Sequence, residues 1–402
     1  MNTKKVFFIL FVLVLAISAC AAPQPAGSIV QSHVGAVMSV FHVGNPENIV
    51  QLTATEPVRQ TVISRNSNAL YELSAKQANN GQLDGGAMIT VFPASDYEHH
   101  TVISVPDDIV IGVYDAWISD TVSGLYFYTL SSADSPSPDH NTVITSTVRV
   151  YDVGNQFQRV KTFNLQDINY YFATPFTYAS VGNVSPDGRK LLLYQVPNGL
   201  LPVVDYYVAS DTSKTTAIHM ETEGFNPDQA MFSRDGQSVY YTTMFLRDGT
   251  ELHTDCLMKY WLAGSSAGLS EKIACQATTD PNGIMRVNYD ESTDGRILVY
   301  FVEYYPMNGN SNDGWSAKNS AFYICAKSSG CTDNLVTNSD IVQSAVWSPD
   351  GQWIAINDYH DGLWRTFYSK TGQSLSPQGI RTYGKLTWAD ENLVPNIVGW
   401  LK

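Results

Sequence analysis

The sequence predicts an all-β fold: a single β-propeller of seven four-stranded blades, closed by pairing N-terminal strands with C-terminal strands. Three observations carry this. Val, Ile, Thr and Tyr crowd short runs broken by Gly, Asn, Asp and Pro, and aromatic residues make up 12% of the 402 positions, with no long helical period. A turn of the form Ser-x-Asp-Gly, followed by an apolar strand, recurs along the chain. A second kind of hairpin alternates with it, at starts 42 to 65 residues apart, which is the period of a blade plus its loops.

Taken in order, the chain opens on a segment that is not part of the fold. Lys4 and Lys5 precede twelve apolar residues, Val6 to Ile17. That length suits the core of an export signal and falls short of the roughly 20 residues of a membrane span. The run ends in "ISAC", residues 17 to 20, with Ser18 and Ala19 before Cys20. This resembles the lipobox of bacterial lipoproteins. The resemblance implies cleavage before Cys20, acylation of that cysteine, and a lipid-anchored place in the cell envelope. Ala21 after the cysteine implies the outer membrane where one exists. Residues 1–19 are then the signal peptide. Residues 20–35, which include "AAPQPAGS", form a flexible tether, and residues 36–402 form the propeller. Residues 21 to 34 would reach at most about 50 Å when extended.

The second kind of hairpin starts at 36, 88, 146, 203, 256, 321 and 363. The Ser-x-Asp-Gly kind is clearest in "AVWSPDGQWIAIND" (345 to 358), "NVSPDGRKLLLY" (183 to 194) and "MFSRDGQSVYYTT" (231 to 243), with a looser copy in "NYDESTDGRILVYF" (288 to 301). Asp bonds the local backbone and Gly suits the end of such a turn. Asp187, Asp235 and Asp350 are therefore expected to turn the chain and not to do chemistry. If the strands of a blade are A to D, the N-terminus supplies C and D of one blade. The C-terminus, through "KLTWADENLVPNIVGWL" (385 to 401), supplies its A and B. The Trp-Ser-Pro-Asp-Gly signature and the strand after it, Trp347 to Ile356, resemble the WD-like repeats of the TolB family and of prolyl-oligopeptidase propellers. The resemblance covers most of residues 177 to 375 and implies a fold more than a function. It departs at two points. No α/β domain precedes the propeller as in TolB, and there is no room for a hydrolase domain.

After removal of Cys20, four cysteines remain, an even number that suits disulfides in an exported protein. Cys256 opens strand C and Cys275 ends strand D of one hairpin, and Cys325 and Cys331 flank the turn of another. The expected bonds are Cys256–Cys275 and Cys325–Cys331. Their spacings do not match paired zinc ligands.

The formal charge is −14, and it becomes −16 once residues 1–19 and their two lysines are removed. So acidic a body argues against nucleic acid as a partner. "GSSAG" (264 to 268) fits a nucleophile motif, but it falls at a hairpin tip and precedes a strand, so Ser266 reads as a turn residue. The histidines show no metal spacing. No cofactor is expected, with Ca²⁺ kept as a candidate ligand for "NGNSNDGW" (308 to 315).

In an up-and-down blade, A–B and C–D turns leave one face, while B–C loops and blade-to-blade links leave the other. The second face carries the insertions at 131 to 143, 164 to 176, 244 to 255, 303 to 320 and 357 to 362. They bring aromatic and polar residues together: Tyr170, Tyr171, Phe172, Tyr304, Tyr305, Trp315, Tyr359 and His360. Such mixtures suit a peptide, glycan or protein surface. The expected function is a non-catalytic binding or assembly platform, anchored to the membrane by its lipid, with an envelope protein, peptide or glycan as partner. The alternative is a propeller hydrolase or lyase acting on extracellular glycans or peptides. Convergence of Asp313, Asp358, His360 and Asp361 on one cleft would favour it.

Overall fold

The computed structural model describes residues 25–33, 37–52, 58–79, 82–133, 145–164, 178–195, 205–210, 217–220, 230–246, 252–306, 315–326, 330–332, 341–371, 375–383 and 396–402. Among these, the chain forms 28 strands and one four-residue helix, α1 (Asp107–Val110). All the strands fall into seven four-stranded antiparallel sheets.

Sheet I joins the two ends of the chain: β28 (Asn396–Leu401) pairs with β1 (Ser28–His33), followed by β2 (Val37–His42) and β3 (Asn45–Leu52). Sheet II is β4 (Val58–Ile63), β5 (Ala69–Ser74), β6 (Met88–Pro93) and β7 (Thr101–Ser104). Sheet III is β8 (Asp115–Thr121), β9 (Gly124–Ala133), β10 (Thr145–Asp152) and β11 (Gln158–Asn164). Sheet IV is β12 (Tyr178–Val184), β13 (Lys190–Gln195), β14 (Asp205–Ser210) and β15 (Ala217–Met220). Sheet V is β16 (Met231–Phe232), β17 (Ser238–Leu246), β18 (His253–Trp261) and β19 (Ser270–Ala277). Sheet VI is β20 (Ile284–Glu291), β21 (Ile297–Pro306), β22 (Trp315–Ala326) and β23 (Gly330–Thr332). Sheet VII is β24 (Ile341–Trp347), β25 (Trp353–His360), β26 (Leu363–Lys370) and β27 (Gln378–Thr382).

The sheets touch in chain order. First strands contact first strands from β28 to β4, β8, β12 and β16, then from β20 to β24 and back to β28; β18 and β20 join sheets V and VI. The core lies between the sheets in separate apolar layers. One, between sheets I and II, contains Val30, Val40, Leu70, Phe92 and Leu401. Another, between sheets VI and VII, contains Leu298, Phe322, Trp347, Ile354 and Phe367.

The Ser-x-Asp-Gly stretches are tight turns joining the first two strands of a sheet. In each, the serine hydroxyl donates to the aspartate: Ser185 to Asp187 (2.5 Å), Ser233 to Asp235 (2.7 Å) and Ser348 to Asp350 (2.5 Å). The same serine oxygen accepts the amide of the returning strand, as Ser348 does from Trp353 at 2.9 Å. Gly351 sits at φ +68°, where a side chain would be strained. Ser64 and Asn66 build the same turn in sheet II at 3.1 Å, with Ser67 at φ +58° in the glycine position. That copy lacks both Asp and Gly, so the motif does not show in the sequence. "GSSAG" is also a turn: the Gly268 amide bonds back to the Trp261 carbonyl at 2.9 Å, and β19 follows.

The junction of the two ends differs from the expected two-plus-two arrangement. The N-terminal side supplies three strands of sheet I, and β1 takes the position assigned to a C-terminal strand. The strand, Ser28–His33, lies inside residues 20–35, the stretch that reads as tether, so part of that stretch is sheet. The physical reason lies in its burial. Ile29 packs toward sheet VII and Val30 toward sheet II, so β1 is covered on both faces and shows no polar alternation. Gln31 locks it further. Its amide donates to Thr366 (2.9 Å), and its carbonyl accepts from Tyr383 (2.8 Å).

First strands have one edge without a partner strand, and neighbouring sheets satisfy it with side chains. Gln60 accepts from the Ile118 amide (2.7 Å) and donates to the Ile118 carbonyl (3.1 Å). Ser344 accepts from the Ile397 amide at 2.9 Å.

Both disulfides are present, Cys256–Cys275 and Cys325–Cys331, each joining directly opposed residues of a hairpin. By the loop-entropy account, changing Cys256 and Cys275 together to Ala should cost about 3 kcal/mol. Changing Cys325 and Cys331 should cost about 2 kcal/mol, because the loop is shorter. Equilibrium urea unfolding checks both values, and the opposite order would contradict that account. Residues 1–24, with Cys20, lie outside the described residues. Among the described residues no helix is long and apolar enough to cross a membrane.

Candidate functional site

On the face that carries the links between sheets and the turns between second and third strands, the described residues bring several polar and charged side chains together at sheets V and VI. The insertions expected there as loops are in good part strand. β21 runs to Pro306 and β22 starts at Trp315, so Pro306 opposes Trp315 in the ladder. Between His360 and Leu363 only Asp361 (φ +48°) and Gly362 (φ +80°) intervene. An Asp-Gly pair with both residues at positive φ is a two-residue hairpin turn. The stretch 357 to 362 is therefore not an inserted loop.

The candidate aromatic residues separate accordingly. Tyr304 is buried within the layer between sheets VI and VII, and the Arg286 guanidinium lies over its ring at 4.8 Å. It is a packing residue. Tyr359 packs edge-on against Trp364, 5.2 Å between centroids, and is half-buried. Tyr305 is partly exposed, with its hydroxyl 3.3 Å from Thr279 and the Lys318 ammonium 4.3 Å over its ring. A hydrogen bond to the Tyr305 hydroxyl pulls the Lys318 pKa up. His360 is half-buried, its Nε2 3.3 Å from Asp361. Trp315 begins β22. Tyr170, Tyr171 and Phe172 lie outside the described residues, as do Asp313 and nearly all of the candidate calcium loop.

Beneath Tyr305 lies a residue that motif reading passes over. Glu303 is 1% exposed, and its carboxylate accepts four hydrogen bonds. They come from the Thr279 amide (2.7 Å), the Thr279 hydroxyl (2.9 Å), the Asp280 amide (3.3 Å) and Asn319 (3.1 Å). The signal was a single charge in the otherwise apolar "ILVYFVEYYP" of β21. That charge fixes the link between sheets V and VI. A cavity of about 280 Å³ opens beside it, lined by Gln276, Thr279, Met285, Phe301, Glu303 and Tyr323. Tyr323 donates to Gln276 at 3.0 Å across the two sheets. Nearby, Asp255 stands 3.1 Å from His253. Burial raises the Asp255 carboxyl above its usual range, His253 opposes the shift, and the charge on Glu303 adds to it. The arrangement offers donors and acceptors side by side, which suits hydroxyl-rich or amide ligands.

Of the four residues named for the alternative reading, Asp313 lies outside the described residues, and the other three share the β25–β26 hairpin. Asp358 is 1% exposed and forms a bidentate pair with Arg365 at 2.6 and 2.8 Å. Asp361 forms the hairpin turn. Among the described residues no group of three or more metal-ligating side chains occurs.

No protein-family model matches the chain, and no curated protein does. Among solved structures, a protein of Lactobacillus plantarum is 13% identical, with 94% of this chain and 100% of that one covered and a TM-score of 0.47. The Swd1 β-propeller domain of Myceliophteria thermophila is 10% identical over 83% and 89%, with a TM-score of 0.41. TolB of Acinetobacter baumannii is 12% identical over 78% and 68%, with a TM-score of 0.31. The architecture therefore rests on the sheet order and the contacts described above.

Proposed function

We propose that this chain is a lipoprotein of the cell envelope whose body is one seven-bladed β-propeller, with β28 and β1 forming the seam. It is tethered through acylated Cys20 and binds a partner without catalysis. The partner is a protein, peptide or glycan of the envelope, taken on the face that carries Tyr305, Lys318, Tyr359 and His360. One observation supports the reading: the partly exposed Tyr305–Lys318 pair meets Thr279 at the edge of a cavity also lined by Glu303, which is buried and held by four hydrogen bonds. A rigid base beside an amphipathic ring is the arrangement of a recognition surface.

The test is chemical crosslinking in intact envelopes followed by affinity capture, comparing wild type with a Tyr305→Ala/His360→Ala variant. A partner captured by wild type should fall at least tenfold in the variant, with the unfolding midpoint preserved. Retention at the wild-type level would sink the assignment of this face. Tyr304 is unsuitable as a probe, because its loss would leave a cavity in the core.

A further inference from the structure

The opposite face, where the Ser-x-Asp-Gly turns emerge, holds a larger cavity of about 480 Å³. Three turns line it: Arg65 from sheet II, Arg234 and Asp235 from sheet V, and Glu291 to Gly295 from sheet VI. Sheets II and V are not neighbours in the order of contacts, yet Arg65 Nη2 donates to the Arg234 carbonyl at 3.0 Å. The Arg65 amide donates to Asp120 at 2.7 Å, which anchors its own turn. Arg234 is held by Glu291: its Nε donates to the Glu291 carbonyl (2.5 Å) and its amide to Glu291 Oε2 (2.6 Å).

Backbone carbonyls thus position both guanidinium groups; neither makes a side-chain ion pair within 4.0 Å among the described residues, and the Arg234 charge also acts on buried Asp290 and Glu291. Both arginines are exposed. The acids of the cavity are distributed differently. Glu291 is buried and also accepts from Tyr240 at 3.4 Å. Asp294 is paired with Arg296 at 2.9 Å but keeps a side-chain exposure of 57%, and Asp235 is exposed in its turn. Two cations and two exposed acids therefore share one concavity.

We propose that this cavity binds a zwitterion, a free amino acid or a di- or tripeptide. The ligand carboxylate would lie on Arg65 and Arg234, and its amine toward Asp235 and Asp294. A guanidinium matches a carboxylate through paired N–H donors. A purely anionic ligand would meet the two aspartates, and a purely cationic one the two arginines. The volume falls in the range of small-ligand sites.

Isothermal titration of the folded protein with trialanine tests this, alongside its C-terminal amide, its N-acetyl form and inorganic phosphate. Trialanine should bind saturably, each blocked form at least tenfold more weakly, and phosphate more weakly still. Arg65→Met should weaken trialanine at least tenfold with an unchanged unfolding midpoint. Should that variant lose stability, Arg65→Gln, which keeps an uncharged polar donor on a shorter stem, takes its place with the same expectation. No trialanine binding, equal binding of a blocked form, tighter phosphate binding, or an unaffected Arg65 variant would each overturn the proposal. The Tyr305→Ala/His360→Ala variant should bind trialanine as wild type does, which separates this site from the other face.

Discussion

Replacing Trp400 with Ala should lower the unfolding free energy by about 4 kcal/mol, the scale of a large aromatic lost from a packed core. Trp400 is 2% exposed and belongs to the layer shared by Ile29, Phe41, Trp353, Ala355 and Tyr368. Its ring meets Tyr368 edge-on at 6.3 Å, and its indole N–H donates to the Ala26 carbonyl at 2.9 Å. The loss thus falls on the contact between sheets I and VII and on the chain just before β1. Gly27 shows how close the approach is: a Cβ there would overlap the Leu401 carbonyl, and its φ is +96°. Equilibrium urea unfolding measures the change. A loss below about 1 kcal/mol would mean that the seam lies outside the cooperative unit and that the sheets hold together without it.

Stability should also fall as pH rises through a window set by Glu72. This residue, in the second strand of sheet II, is 1% exposed, and neither carboxylate oxygen has a hydrogen-bond partner among the described residues. Its cross-strand neighbours are Thr61 and Thr90. Burial lifts its pKa from 4.5 to about 7. The folded state then holds the proton where the unfolded chain has released it. Its contribution is fully present below pH 4.5 and is lost as pH rises through about 7. At roughly 1.4 kcal/mol per pKa unit, the loss amounts to about 3 kcal/mol. Glu72→Gln should remove this slope, matching wild type at low pH and exceeding it by about 3 kcal/mol above pH 7. Unfolding free energies of both proteins across pH 4 to 8 decide it. Parallel curves would show that Glu72 is not the group responsible.

Residues whose role is local could be read from the sequence. The Ser-x-Asp-Gly turns close through hydrogen bonds within six residues, so their chemistry is written in adjacent letters. Sheet II's copy escaped because Asn66 and Ser67 meet the same geometric need with other side chains. The disulfides followed from hairpin register, another short-range relation. The site was legible only in part. Tyr305 and His360 stay at a surface, whereas Tyr304, one position along the same strand, points to the other side of the sheet and into the core. Alternation along a strand puts neighbours on opposite faces, and which face is buried depends on the adjacent sheet.

The sequence by itself determined the all-β class, the alternating hairpins, the strand-to-strand turns and the cysteine pairing. Each depends on backbone preference or on partners close in the chain. Only the tertiary structure decided that β1 is a strand covered on both faces and that Glu303 anchors a link between sheets. It alone brought Arg65 beside Arg234, 169 positions away. Those outcomes depend on which sheets meet, and a one-dimensional pattern carries no record of burial or charge supplied by residues far along the chain.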